Sequence, residues 1–386
     1  MDLKKNYWKI LLGLLFTLAA AWGIVQRNTD PYAGLSKRTD SLDSPAAADK
    51  SLSQYHSEAA VLGRNAPTPR QASFIATGDI MLSRHVAEKI KAAGDPAAPF
   101  YQISSTLQSA DFSFGNLESP IVYGPGTLGG NSLVFAASSS TLEGLARTKF
   151  KVLNLANNHA LDQGIAGLES TAHFLDNLGI QHIGAGKDQA AAWQPAKVEI
   201  NGITTCFIGA SYASVNDGGK AKNNFVARME DLDNLKAGIS SLRPSCDFIV
   251  ASMHAGTEYT RTPNQAQTAF AHAAIDAGAD MVIGAHPHWV QSMEKYQGKY
   301  IFYSLGNFIF DQMWSQETRE GLMLKINLSK APADNSGLQG PKSAASLQSV
   351  ELLPIIIDDY STPRLADETE SGRILKNMGA AEKILH

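Results

Sequence analysis

The chain is 386 residues long, 44% hydrophobic and 18% charged, the balance of a globular protein with a substantial core. Its 33 Lys and Arg face 37 Asp and Glu, a formal net charge of −4 that gives no reason to expect nucleic acid as a partner. A polyanionic substrate gains nothing from that charge either, so any anion must be bound locally.

The amino terminus, "MDLKKNYWKILLGLLFTLAAAWGIVQR", sets Lys4, Lys5 and Lys9 before an uncharged apolar run from Ile10 to Val25. Basic residues ahead of such a run predict a cytoplasmic amino terminus and an exported remainder. The run is shorter than the roughly 20 residues of a full span, although Tyr7, Trp8 and Trp22 can anchor it at the interfaces. We read residues 1–26 as a signal anchor; a cleaved signal peptide is the alternative, since Ala19–Ala20–Ala21 resembles a cleavage site. Residues 27–70 are rich in Ser, Ala, Asp and Pro and read as a flexible linker, and 71–386 as the globular domain. The expectation is a single-pass cell-membrane protein with its main domain extracytoplasmic.

Within the globular part, short β-branched or aromatic runs alternate with amphipathic stretches. The expected strands include "SFIATGD", "DFSFGNLE", "FKVLNLANNH", "TTCFIGAS", "DFIVASMHAG", "DMVIGAHPH", "KYIFYSLGNFIFD", "GLMLKINLS" and "VELLPIIID". Helices are expected over stretches such as "MLSRHVAEKIKAAG", "GLESTAHFLDNLG" and "NQAQTAFAHAAIDAG", several closed by Gly. The pattern predicts an α/β domain with buried sheets, and the thinning of helix towards the carboxyl end predicts an antiparallel portion or a second sheet. Cys206 and Cys246 both open strand-like runs and could pair if those strands are neighbours, but a chain this size needs no staple, so free thiols are expected.

Again and again an apolar run ends in polar groups: Asp79; Asn116 with Glu118; Asn157, Asn158 and His159; His254; His286 with His288. Ligands of open α/β sheets bind beyond the carboxyl ends of the strands. Each residue has a bland reading alone, Asp79 as a helix cap, Glu118 as a solvated loop carboxylate, His254 as a structural histidine; their joint occurrence at successive strand ends has none. In "GAHPHWVQ", His286 and His288 at alternate strand positions are expected to share a face. Asp162, three residues past His159, is expected to orient that imidazole from the same helical face. Imidazole with carboxylate suits Zn, Mn or Fe, and a two-metal site activates water against a phosphoester. Neither a Walker loop nor a G-X-S-X-G elbow is present in the sequence.

"GDIMLSR", "GNLESPI", "NLANNHALDQG", "HAGTEY", "GAHPHWVQ" and "YSLGNFIFD", in that order, resemble the CapA family of bacterial capsule synthesis proteins, related to the calcineurin-like metallophosphoesterases. The resemblance implies a four-layer α/β/β/α sandwich behind an amino-terminal membrane anchor helix. It also implies a metallophosphoesterase-like cleft and a role in poly-γ-glutamate synthesis or export beside membrane synthase subunits. By position it makes Asp79, Glu118, Asn158, His254, His286 and His288 metal ligands for one or two divalent ions. His159, paired with Asp162, becomes the catalytic group. Met81 stands where the family's D-X-H motif has histidine. Two functions follow as alternatives: a capsule-machine component that binds polymer, or a metal-dependent hydrolase of a phosphoester or amide in a surface polymer.

Overall fold

The computed structural model describes residues 68–212, 224–332, 344–380 and 382–386. The expected anchor, residues 1–26, lies outside the described residues, as does nearly all of the expected linker. Among the described residues no helix is long and apolar enough to cross a membrane.

In chain order the strands are β1 (Arg70–Ile80), β2 (Phe112–Leu117), β3 (Ile121–Val122), β4 (Ala137–Ser138), β5 (Phe150–Asn154), β6 (Gln181–Ile183), β7 (Ala196–Ile200), β8 (Ile203–Ser211), β9 (Phe248–His254), β10 (Met281–Ala285), β11 (Met293–Tyr296), β12 (Lys299–Phe302), β13 (Asn307–Ile309), β14 (Glu320–Lys330), β15 (Ser346–Asp358), β16 (Thr362–Leu365) and β17 (Ile384–Leu385). The longer helices are α1 (Arg84–Ala93), α2 (Gly164–Asn177), α3 (Leu232–Leu242), α4 (Gln265–Asp276) and α5 (Glu368–Met378). One sheet runs β16-β15-β14-β1-β2-β5-β6, with β13 beside β1 and β17 beside β15; the other runs β11-β12-β10-β9-β8-β7. The β1, β2, β5 and β6 ladders are parallel, as are those of β8, β9, β10 and β12, while β14, β15 and β16 form the antiparallel portion.

Strand alternation builds the layers. Phe74, Ala76, Phe112 and Phe114 of the first sheet share one core with Phe207, Val250 and Ile283 of the second. On the far face of the first sheet, Ile75, Ile80 and Leu153 pack with Val86, Ile90, Leu168 and Leu175 of α1 and α2. On the far face of the second, Ile208, Ile249 and Val282 pack with Leu235, Ile239 and Phe270 of α3 and α4. Helices therefore cover both outer faces of a sheet pair. Each large side chain so buried stabilises the fold by about 1.5–3 kcal/mol.

Two expectations are corrected. "KYIFYSLGNFIFD" is not one strand: β12 pairs in the second sheet and β13 in the first. The chain crosses between sheets at Gly306, whose φ of 67° suits glycine, and Gly306 O accepts from Asp79 N at 3.0 Å. Cys206 and Cys246 are not free thiols but a disulfide, with Cα atoms 5.9 Å apart. Parallel pairing of β8 with β9 brings the two together, so strand adjacency overrides the argument from chain size. A bridge across 40 residues of sequence stabilises by about 2–4 kcal/mol.

Candidate metal centre

The carboxyl ends of strands from both sheets meet at one place. β1 supplies Asp79, β2 supplies Asn116 and leads directly into Glu118, and the turn after β5 carries Asn157, Asn158 and His159. From the second sheet come His254, the last residue of β9, and the bend after β10 that holds His286 and His288. Asp79, Glu118 and His254 are wholly buried, and the other six are at most 6% exposed. Burying so many polar groups is costly unless each finds a partner.

Most do. Asp79 Oδ1 accepts from Asn116 Nδ2 at 2.8 Å, and Asp79 Oδ2 accepts from the backbone N of His286 at 3.2 Å. His254 bridges the sheets: its Nε2 lies 2.7 Å from Asn158 Oδ1 and its Nδ1 3.1 Å from Asn116 Nδ2. His159 Nδ1 meets Asp162 Oδ2 at 2.8 Å, and that carboxylate oxygen also accepts from Phe135 N at 2.6 Å. The Phe135 ring stacks on His159 with centroids 3.9 Å apart. His288 Nδ1 lies 2.9 Å from Asn307 Oδ1. Asn307 Nδ2 is spent on Thr318 O at 2.8 Å and Gln312 Oε1 at 3.1 Å, which turns the amide oxygen towards His288 and assigns that ring's proton to Nδ1.

Among the described residues, two buried atoms of this cluster have no hydrogen-bond partner: Glu118 Oε1 and His286 Nδ1. Glu118 Oε1 lies 3.8 Å from His159 Nε2 and 4.0 Å from His288 Nε2. Burial, and then the charge of Asp79, hold the Glu118 carboxyl well above its usual range. Burial depresses the histidines: His286 to about 3, helped by His288, and His254 well below its ordinary value, helped by His286 and His288. Neutral imidazoles beside crowded carboxylates form a donor set suited to a borderline divalent ion. Asp79, Glu118 and His254 each offer a ligand atom, all within 4.8 Å of one another, so this group could bind a metal. The orphaned Glu118 oxygen, lacking any donor, is the feature a cation would satisfy.

The structure thus brings Asp79, Glu118, Asn158, His159, Asp162, His254, His286 and His288 into one cluster. It changes the reason in two places. His286 and His288 do not share a strand face, because β10 stops at Ala285 and both take positive φ, 98° and 58°. His286 packs on His254 and Tyr212, whereas His288 faces Asp79, Asn307 and Glu118. His159 and Asp162 meet across a turn, with Asp162 N donating to His159 O, before α2 begins at Gly164. Met81 lies in the apolar core beside α1, its sulfur accepting from Ser83 N and Oγ at 3.1 Å. Sequence reading did not single out Asn307 or Asn154; only their place in polar strand ends, "NLANN" and "LGNF", hints at them.

Residues 73–312 match the family of bacterial capsule synthesis proteins PGA_cap. The PGA biosynthesis protein CapA of Bacillus subtilis is 33% identical over 261 residues, 67% of this chain and 68% of that protein. The capsule biosynthesis protein CapA of Bacillus anthracis is 31% identical over 261 residues, 65% of this chain but 62% of the relative's own length. Among solved structures, the calcineurin-like phosphoesterase YfkN from Bacillus subtilis aligns over 80% of this chain and 97% of its own, with TM-score 0.41 and 13% identity. With the family match covering more than half of the sequence, the chain belongs to the PGA_cap family of bacterial capsule synthesis proteins.

Proposed function

We propose that this chain serves the synthesis or export of an anionic surface polymer of the poly-γ-glutamate type, using a divalent metal centre built around Glu118. The observation that carries the metal is Glu118 Oε1, buried without a donor and faced by two imidazole nitrogens. The polymer class rests on the relatives, one a PGA biosynthesis protein and one a capsule biosynthesis protein. With a formal charge of −4 and buried carboxylates at the site, a carboxylate polymer needs a cation to bind there. Zn, Mn and Fe match the donor set.

We further propose that residues 1–26 anchor the protein in the cell membrane beside synthase or export subunits, with the main domain extracytoplasmic. The lysines before the apolar run support this orientation. So does the Cys206–Cys246 disulfide, which persists in an oxidising compartment.

A second reading, hydrolysis of a phosphoester or amide within the polymer, is favoured by the His159–Asp162 pair, which polymer binding does not require. A bound ion would activate water and polarise the scissile group. Asp162 holds His159 through Nδ1, leaving the Nε2 lone pair to take a proton from the attacking water and pass it to the departing atom as water adds across the bond. The test is His159→Ala in a host lacking the native gene. If the site performs chemistry, polymer processing is lost by about 100-fold or more; full polymer function in the variant would refute the hydrolytic reading and leave the binding one.

A further inference from the structure

We infer that the cluster contains two cation seats and that Asn116 fills one with its own side-chain amide, so the chain holds a single divalent ion, at Glu118 Oε1. This rests on the metal reading above and says where the ion goes and how many there are. Asn116 Nδ2 stands among three acceptors: Asp79 Oδ1 at 2.8 Å, His254 Nδ1 at 3.1 Å and Glu118 Oε2 at 3.5 Å. One carboxylate oxygen from each of two acids and one imidazole nitrogen are what a cation would gather. The amide's two N–H groups occupy that place instead.

The amide cannot turn over to present oxygen. Asn116 Oδ1 accepts from Asn154 Nδ2 at 3.1 Å, with Asn157 Nδ2 at 3.5 Å. Both partners are locked by backbone. Asn154 donates to Ala156 O at 2.9 Å and accepts from Ala156 N at 3.2 Å. Asn157 donates to Leu117 O at 2.8 Å and accepts from His159 N at 3.1 Å. A flipped Asn116 would set an N–H against these donors and lose their hydrogen bonds. The Nδ1 lone pair of His254 is likewise committed to Asn116, because its Nε2 donates to Asn158 Oδ1.

The opposite side of Glu118 has no such plug. His288 Nδ1 is held by Asn307 and His159 Nδ1 by Asp162, so both rings turn bare Nε2 atoms to Glu118 Oε1. Three ligand atoms converge at these distances with no N–H among them, the arrangement a cation requires. That seat takes the ion.

The full-length chain, purified and loaded with Mn(II), tests this by metal analysis and electron paramagnetic resonance, beside Asn116→Asp. Aspartate keeps the oxygen that Asn154 needs and replaces the donor with a ligand. The expected result is one ion per wild-type chain with the spectrum of isolated Mn(II), and two ions per chain in the variant with a spin-coupled spectrum. Two coupled ions in the wild type would overturn this inference alone, as would a folded variant that still takes one. A wild type that takes none would overturn the metal reading and this inference with it. Should the variant fail to fold, the wild-type spectrum decides.

Discussion

On one side of Glu118, Asp79 Oδ1, His254 Nδ1 and Glu118 Oε2 surround the amide of Asn116; on the other, Glu118 Oε1 faces His159 Nε2 and His288 Nε2 without a donor. The groups are alike in kind and burial, yet one side is satisfied by the chain and the other is not. A fold closes a polar cavity wherever it can supply a donor of the right shape. Where it leaves acceptors crowded together, the free energy is recovered only when a cation arrives. Asn116 is thus structural glue, and the opposite side is where chemistry can occur.

Glu118→Gln should separate the two sides most sharply. Metal affinity, measured by chelator competition, should fall by more than about 100-fold, beyond the 10–100-fold typical of losing a supporting partner. The metal-free variant should be no less stable, since it removes a carboxyl that burial and Asp79 already disfavour as an anion. Undiminished affinity would mean that the ion sits elsewhere.

Asn307→Ala should cost about 10–100-fold in metal affinity by freeing the His288 ring. Asn307→Asp, which keeps an acceptor for Nδ1–H, should recover most of it. A loss common to both would make Asn307 a packing residue rather than one that orients His288.

The pH response follows from opposed shifts. Burial lowers His286 from 6.5 to about 3, so its contribution to stability is whole above pH 6.5 and is lost as the pH falls between those values. Glu118 is raised, so its contribution is present at low pH and lost as the pH climbs. A bound cation cancels only the Glu118 cost. Metal should therefore raise Tm more in mildly alkaline than in mildly acidic buffer, and an equal gain in both would contradict the assignment.

The smallest effect is expected from Asn154→Ala, which leaves Asn116 Oδ1 short of its nearer donor at a cost of about 1–3 kcal/mol in denaturant unfolding. Metal count should stay at one unless the freed amide turns, in which case weak second binding should appear.

How legible was this in the sequence? The polar strand ends were, because apolar runs that finish in Asp79, Glu118, His254 or His288 break the hydrophobic pattern and say so locally. The alternation of elements likewise foretold the α/β class and an antiparallel portion near the carboxyl end. Asn307 stayed hidden because "YSLGNF" reads as strand, and the crossing between sheets depends on the backbone angle of Gly306, which periodicity does not register. The donor role of Asn116 was equally invisible, since it is set by Asn154 and Asn157, whose own orientation is fixed by backbone atoms. The disulfide needed the β8–β9 pairing, a long-range fact. His286 and His288 were chosen for a shared strand face and meet the cluster by way of two positive φ angles instead.

The most direct test of the account is elemental analysis of the purified full-length chain beside a His286→Ala/His288→Ala double variant, each after reloading with Zn, Mn or Fe. The account predicts stoichiometric metal in the wild type and its loss in the variant. A wild type that stays metal-free after reloading, or a variant that holds as much as the wild type, would contradict it.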